Sequence, residues 1–288
     1  MAAPKALLLS TIATDANDWH IGRFSQLGSM IETAGQAIDP AFALTITDYP
    51  VEPELRKGLQ SDLREGVFNQ IWLMAVDLDN GPDDDFFTAL EAAVRSGTDL
   101  VIARDHADLG SCLLSLEGCL TAVGSTQTFK RSWPDLPTDR EFIDEACPTI
   151  TTPCVVTGQN GGVQICRKRA DHPLLAFPSM LPGHLLMPAH PHEGVIRPTS
   201  DTQTVLLSSY SITSGREQLI AIVDEVPDGG MVLHHSTFHH FADYNIDISH
   251  GAPDFVLDPP TKQIEDSPEL LADLRAYIRS VVHYACRN

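Results

Sequence analysis

The sequence predicts an α/β protein, a flavodoxin-like three-layer sandwich around a mostly parallel sheet, with a β-hairpin and loop excursion in its second half. Three observations predict it. Short apolar runs alternate with amphipathic helical segments from the N-terminus onward, the pattern of βαβ units. The middle of the chain loses that alternation and becomes rich in proline and charge. The end returns to strand-like runs and closes on one long apolar-striped helix. At 288 residues the chain is read as one domain, 1–288, with an irregular insertion at about 126–200.

The elements follow in order. "ALLLST" (Ala6 to Thr11) is a buried strand rather than a secretion signal, because no long apolar region or cleavage site accompanies it. "IGRFSQLGSMIETAG" places Ile21, Phe24, Leu27, Met30 and Ile31 at helical spacing, with Gly35 as the stop. "FALTITDY" is the next strand, and "PELRKGLQSDLREG" a polar helix with Gly66 after its end. "NQIWLMAVD" is a third strand. "DDDFFTALEAAVRSG" is a helix whose first-turn acids complement its dipole. "TDLVIARD" is a fourth strand and "ADLGSCLLSLEGCL" a helix after it.

In the middle, "CVVTGQNGGVQICRK" reads as a hairpin turning at Asn160-Gly161. "HPLLAFPSMLPGHLLMPAHPHEGVIRP" reads as mostly loop. "TVLLSSYS", "EQLIAIVDEV" and "GGMVLHHST" are the late strands. The final helix carries Leu270, Leu271, Leu274, Tyr277, Ile278, Val281 and Val282 on one stripe, which should pack on the sheet.

Composition narrows the partners. A formal charge of −20 repels phosphate backbones, so nucleic acid is not an expected partner. No apolar run is long enough for a membrane helix, so no membrane association is expected. The six cysteines make no CxxC and no zinc-ribbon spacing, which fits a reducing cytoplasmic setting. The partner expected is a small-molecule substrate, and a homodimer is the default assembly. No GxGxxG or P-loop occurs, so no nucleotide cofactor is expected. "DLDNGPDDD" is not an EF-hand, because its Gly is one place early and Thr88 stands where the closing Glu belongs.

Open parallel sheets bind ligands beyond the carboxyl ends of their strands. That singles out three loops: "ATDANDWH" (Ala13 to His20), "DLDNGPDDD" (Asp77 to Asp85) and "RDHADLG" (Arg104 to Gly110). Histidine and carboxylate residues collect in three places. Asp105, His106 and Asp108 follow the fourth strand, where an acid can also cap a helix. His190, His192 and Glu193 lie in "PAHPHEG", the ligand types that zinc and similar ions prefer. "MVLHHSTFHHFADYN" holds four histidines. Alternation puts His234 and His235 on opposite faces of a strand, at least one of them buried and structural. His239 and His240 lie past the strand end. A helical turn there would pair His239 with Asp243 and His240 with Tyr244.

These segments carry a resemblance. "DLVIARDHADLGSCL" resembles a "GDHEDLG" stretch of class I glutamine amidotransferase-like proteins close to the ThuA-like (trehalose utilisation) group. "PAHPHEG" resembles their "PDHPHEG", and "GGMVLHHSTFHHFADYN" resembles their "GRVVVDSTWHHWFD". The three stand in the right order over Asp99 to Asn245, about half the chain. The resemblance implies a glutamine amidotransferase-like fold. It departs where a true amidotransferase has its nucleophile: Asp105 and His106 occupy the elbow, and Cys112 comes six residues after His106. A thioester route therefore looks closed. Ala107 stands for Glu, and Arg104 for Gly.

The expected function is an enzyme without glutaminase chemistry, a hydrolase, lyase or isomerase acting on a small polar metabolite such as a sugar derivative or an amide. Asp105, His106, Glu193 and His240 are the candidate catalytic residues. His106, His190, His192, Glu193, His239 and His240 are the candidate ligands of a divalent metal, zinc first. Without a metal, His240 or Glu193 would serve as general base. The alternative is a non-catalytic metabolite-binding or scaffold protein that keeps the fold.

Overall fold

The computed structural model describes residues 3–105, 109–115, 120, 127–128, 157–191, 193–196, 198, 200–212, 215 and 217–286. Its centre is one mixed sheet. Strands β1 (Lys5–Ser10), β2 (Ala43–Asp48), β3 (Gln70–Met74), β4 (Asp99–Ala103) and β11 (Met231–His235) form a parallel block in the order β2-β1-β3-β4-β11. An antiparallel extension continues from β11 through β10 (Glu217–Glu225), β9 (Gln203–Tyr210), β6 (Val163–Lys168) and β7 (His184–Pro188). Two short strands, β5 (Gln127–Thr128) and β8 (Val195–Ile196), hang on β10.

Helices cover both faces. On one face α1 (Ser25–Ile38) and the C-terminal helix pack Leu27, Ile31, Leu274, Tyr277 and Val281 against Leu8, Trp72, Val101 and Leu233. On the other, α2 (Pro53–Arg64) and α3 (Asp84–Arg95) pack Leu59, Leu63, Phe86 and Leu90 against Leu7, Ile71, Leu100 and Val232. Successive residues of one strand thus divide between two cores, which explains why these strands read as unbroken apolar runs. Short helical pieces precede the end, α4 (Asp243–Ile246), a 3₁₀ turn at Ile248–His250, α5 (Gln263–Asp266) and a 3₁₀ turn leading into α6 (Ala272–Ala285). Among the described residues no helix is long and apolar enough to cross a membrane.

Local chemistry explains the helix starts. Asp83 caps α3 by accepting from the Phe86 amide at 2.9 Å, so the acids of "DLDNGPDDD" do include a helix start. Pro53 opens α2, where a missing N–H costs nothing. The start of α1 is capped from far away: the Asp243 carboxylate accepts from the Ser25 amide and hydroxyl and from the Gln26 amide, at 2.6 to 3.0 Å.

Two expectations change. The stretch read as mostly loop contains β7, which pairs with β6 along its length. β6 therefore finds its partner there; the upstream arm of the expected hairpin, 154–156, lies outside the described residues. The helix expected after β4 is described only as a 3₁₀ turn, Ser111–Ser115.

Candidate functional site

Because β1, β3, β4 and β11 run parallel, their carboxyl ends share one edge, and each delivers a polar group there. β4 continues into Arg104 and Asp105, both fully buried. β11 continues into the 3₁₀ turn Phe238–His240, which Thr237 caps by accepting from the His239 amide. His235 pairs with Ala103 at the last rung of the ladder, so the two extensions emerge side by side.

Asp105, His239 and His190 meet at this edge. The Asp105 Oδ2 lies 3.4 Å from His239 Nε2. The imidazoles of His190 and His239 stack with centroids 3.4 Å apart and 13° between planes. One ligand-type atom from each of the three residues lies within 4.8 Å of the other two. His190 arrives because the antiparallel extension curls back, bringing the end of β7 onto the turn after β11. The Asn245 side chain fastens that return by donating to the Ala189 carbonyl at 2.9 Å.

A hydrogen-bond chain fixes both imidazole tautomers. The Asn245 Nδ2 donates to the Ala189 carbonyl and to Asn160 Oδ1, at 2.9 and 2.6 Å. Its Oδ1 is thereby turned toward His239 Nδ1, 3.3 Å away, which must be the protonated nitrogen. Asn160 Oδ1, already an acceptor, lies 3.0 Å from His190 Nδ1, which must also carry its proton. In each neutral ring the lone pair then sits on Nε2. A lone pair facing the Asp105 carboxylate at 3.4 Å is repulsive unless a proton or a cation lies between them. Amide oxygens behind two imidazoles are the kind of partner that would hold histidine side chains in place for a metal ion.

A second cluster adjoins the first. Glu193 is fully buried, and its Oε1 accepts from Gln164 Nε2 at 2.6 Å and from the Thr157 hydroxyl at 3.2 Å. Its Oε2 accepts from Gln218 Nε2 at 2.7 Å and from the Ser236 hydroxyl at 3.1 Å. His240, also fully buried, places Nε2 2.9 Å from Glu193 Oε1 and 2.7 Å from Gln164 Nε2. Gly194 lets this segment settle on the end of β4: a Cβ there would stand 2.6 Å from the Ser236 carbonyl oxygen and 3.0 Å from the Asp105 carbonyl carbon. Only a residue without a side chain fits that approach.

The structure thus sorts the residues singled out from sequence. Asp105, His190 and His239 come together. Glu193 and His240 pair with each other in the neighbouring cluster. His106 and His192 lie outside the described residues. Both strand histidines are buried: His235 Nε2 lies 2.9 Å from the Tyr277 hydroxyl, while His234 sits on the opposite face with neither ring nitrogen bonded among the described residues. The expected His239–Asp243 pair does not form. Asp243 caps α1 instead, and His239 takes Asn245 as its partner.

Asn160 and Asn245 were not legible as site residues. Asn160 had been assigned to a turn, and only its position behind His190 reveals the second use. Trp19, from the first of the three suspect loops, packs edge-on against His239 at 4.8 Å.

Cys112 lies one strand away. Its thiol donates to Asp77 Oδ1 at 2.9 Å, beside Thr11 and Ser111 hydroxyls that donate to the same carboxylate. Burial and the Asp77 charge push the thiol well above its ordinary range. It stays protonated at neutral pH, the wrong state for a nucleophile.

No family model matches the chain, and no curated protein does. Solved structures do resemble it. The glutaminase domain of Trypanosoma brucei CTPS with bound acivicin is 13% identical, with a TM-score of 0.45 over 95% of this chain and 93% of its own. SMU.1228c is 10% identical, with a TM-score of 0.46 over 98% of this chain and 100% of its own. The three-layer α/β fold itself stands on the strand order and the two helix layers.

Proposed function

We propose that this chain is an enzyme of the ThuA-like, amidotransferase-like kind that lacks glutaminase chemistry and holds a divalent cation, zinc first, on Asp105, His190 and His239. One observation carries the reading: the Asp105 carboxylate and one ring nitrogen each of His190 and His239 lie within 4.8 Å of one another, and all three residues are buried. The donor set of two nitrogens and one carboxylate oxygen is the one that catalytic zinc sites use, leaving a position for substrate or water. A bound cation of this kind polarises a carbonyl or acidifies a water, which suits hydrolysis or a lyase or isomerase step on a small polar metabolite.

The protein's own residues supply the rest. Asn160 and Asn245 keep each Nδ1 protonated and each Nε2 basic. The ring stack and the Trp19 edge hold His239 in one orientation. Glu193 and His240 fasten the segment that carries His190 to β6 and β10, acting from behind the site. The absence of a usable thiol at Cys112 supports a route without a thioester. A reducing, cytoplasmic setting, a homodimer and the absence of nucleic-acid or membrane partners complete the proposal. A binding protein without turnover would share this burial, and turnover of a sugar-derivative or amide panel by the metal-loaded protein separates the two.

Cobalt(II) titration tests the site without knowledge of the substrate. The metal-free protein should develop visible ligand-field bands that saturate near one equivalent, with an intensity indicating four- or five-coordination. His190→Ala and His239→Ala should abolish the bands. Asn245→Leu should weaken binding about 10- to 100-fold, the usual effect of losing a group that orients a ligand. A spectrum unchanged from aqueous cobalt would remove the metal from the proposal.

A further inference from the structure

A cavity of about 510 Å³ opens between α1 and α6, on the outer side of one helix layer. Met30, Ala34 and Ala37 of α1 supply its apolar wall. Arg275 and Arg279, one turn apart on α6, border the opposite side. Gln26 also lines it, and its Nε2 is buried without a hydrogen-bond partner.

Charge sets this place apart. The chain carries 39 acidic residues against 19 Lys and Arg, yet among the described residues no acid lines the cavity. Other surface cations are used: Lys57 pairs with Glu54, Arg95 with Glu91 and Arg169 with Glu217. Among the described residues neither Arg275 nor Arg279 forms an ion pair. Two guanidinium forks separated by one helical turn suit a carboxylate's geometry. Met30 and the two alanines form the apolar part of the α1 wall, with Ser29 and Thr33 beside them, so the complementary ligand has a mainly apolar body.

We propose that this cavity is a binding site for a small organic anion, a carboxylate on an aliphatic body, with the carboxylate on Arg275 and Arg279 and the body against Met30, Ala34 and Ala37. The site lies outside the Asp105–His190–His239 cluster and does not depend on what that cluster holds.

Isothermal titration of the full chain tests it, with octanoate, octanol and inorganic phosphate as probes. Octanoate should bind with one-to-one stoichiometry. Octanol and phosphate should each bind at least tenfold more weakly, because each supplies half of the recognition. Arg275→Gln/Arg279→Gln should lower octanoate affinity tenfold or more, and Ala37→Trp should block it by filling the cavity. Circular dichroism checks that both variants keep the fold.

Equal binding of octanol and octanoate would overturn the proposal in favour of a merely apolar groove. So would unchanged octanoate affinity in the double arginine variant, or no octanoate binding at all. A dimer in sedimentation that the double arginine variant dissociates would also overturn it, by assigning the surface to a second copy of the chain.

Discussion

Glu193→Ala is expected to cost about 3–5 kcal/mol of folding stability, the range for breaking a buried charge arrangement from one side. The carboxylate is fully buried; it accepts from Gln164, Thr157, Gln218 and Ser236 and faces His240. Truncation would take the acceptor from the buried Gln218 amide and Ser236 hydroxyl, and each such orphan carries its own desolvation penalty. The loss also unties the segment bearing His190 from β6 and β10, so cation affinity should fall together with stability. Urea denaturation of the two proteins at neutral pH checks this. A loss below about 1 kcal/mol, the size of an ordinary surface hydrogen bond, would mean that the cluster is not the tie described here.

His234→Leu should do the opposite. The native imidazole is fully buried, neither nitrogen is bonded, and burial holds it down to about 3. Leu fills similar space and removes two unsatisfied polar atoms, so stability at neutral pH should rise by about 1–3 kcal/mol. The pH dependence follows from the direction of the shift. Below an ordinary value near 6.5 the unfolded chain takes up a proton on His234 and the folded chain does not. Folding therefore weakens as pH falls from about 6.5 toward 3, by about 1.4 kcal/mol per pH unit for each such group.

His235 acts in the same direction, since burial and the neighbouring His240 and His234 depress it as well. Asp99 acts oppositely. Burial raises it from 3.8 to about 6, so the folded state binds the extra proton between those values. Between pH 6 and 4 the two histidines and Asp99 should leave a net slope near one proton. His172, which burial also lowers, adds to the parent's fall, so His234→Leu should reduce the slope by about one proton, and the urea midpoint should fall less between pH 7.5 and 5.0 in the variant than in the parent. A parent whose stability is flat across that range would refute the assignment.

The fold was legible where one physical rule dominated. Strands β1, β3 and β4 are buried on both faces, so each reads as a continuous apolar run. The helices between them show the 3.6-residue period because only one side meets the sheet. Alternation along β11 placed His234 and His235 on opposite faces, and both are buried. β7 was not legible: five residues between Pro182 and a terminal Pro188 are too few to show a period, and its pairing with β6 is set by tertiary contact.

The site was legible in part, for a related reason. The carboxyl edge of the sheet pointed to Asp105 and to the loop after β11. Sequence alone placed His239 and His240 together, but adjacent residues of a 3₁₀ turn point about 120° apart. One therefore faces Asp105 and the other Glu193. The amides that orient the imidazoles, Asn160 and Asn245, sit 85 positions apart and come together only because the extension curls back.

The central claim is that Asp105, His190 and His239 form a cation site, and metal content tests it most directly. Protein purified without a histidine tag should carry about one equivalent of a zinc-class divalent ion per chain through extensive dialysis, and His239→Ala should carry none while remaining folded. Less than about a tenth of an equivalent in the parent, unchanged after incubation with zinc and dialysis, would contradict the account.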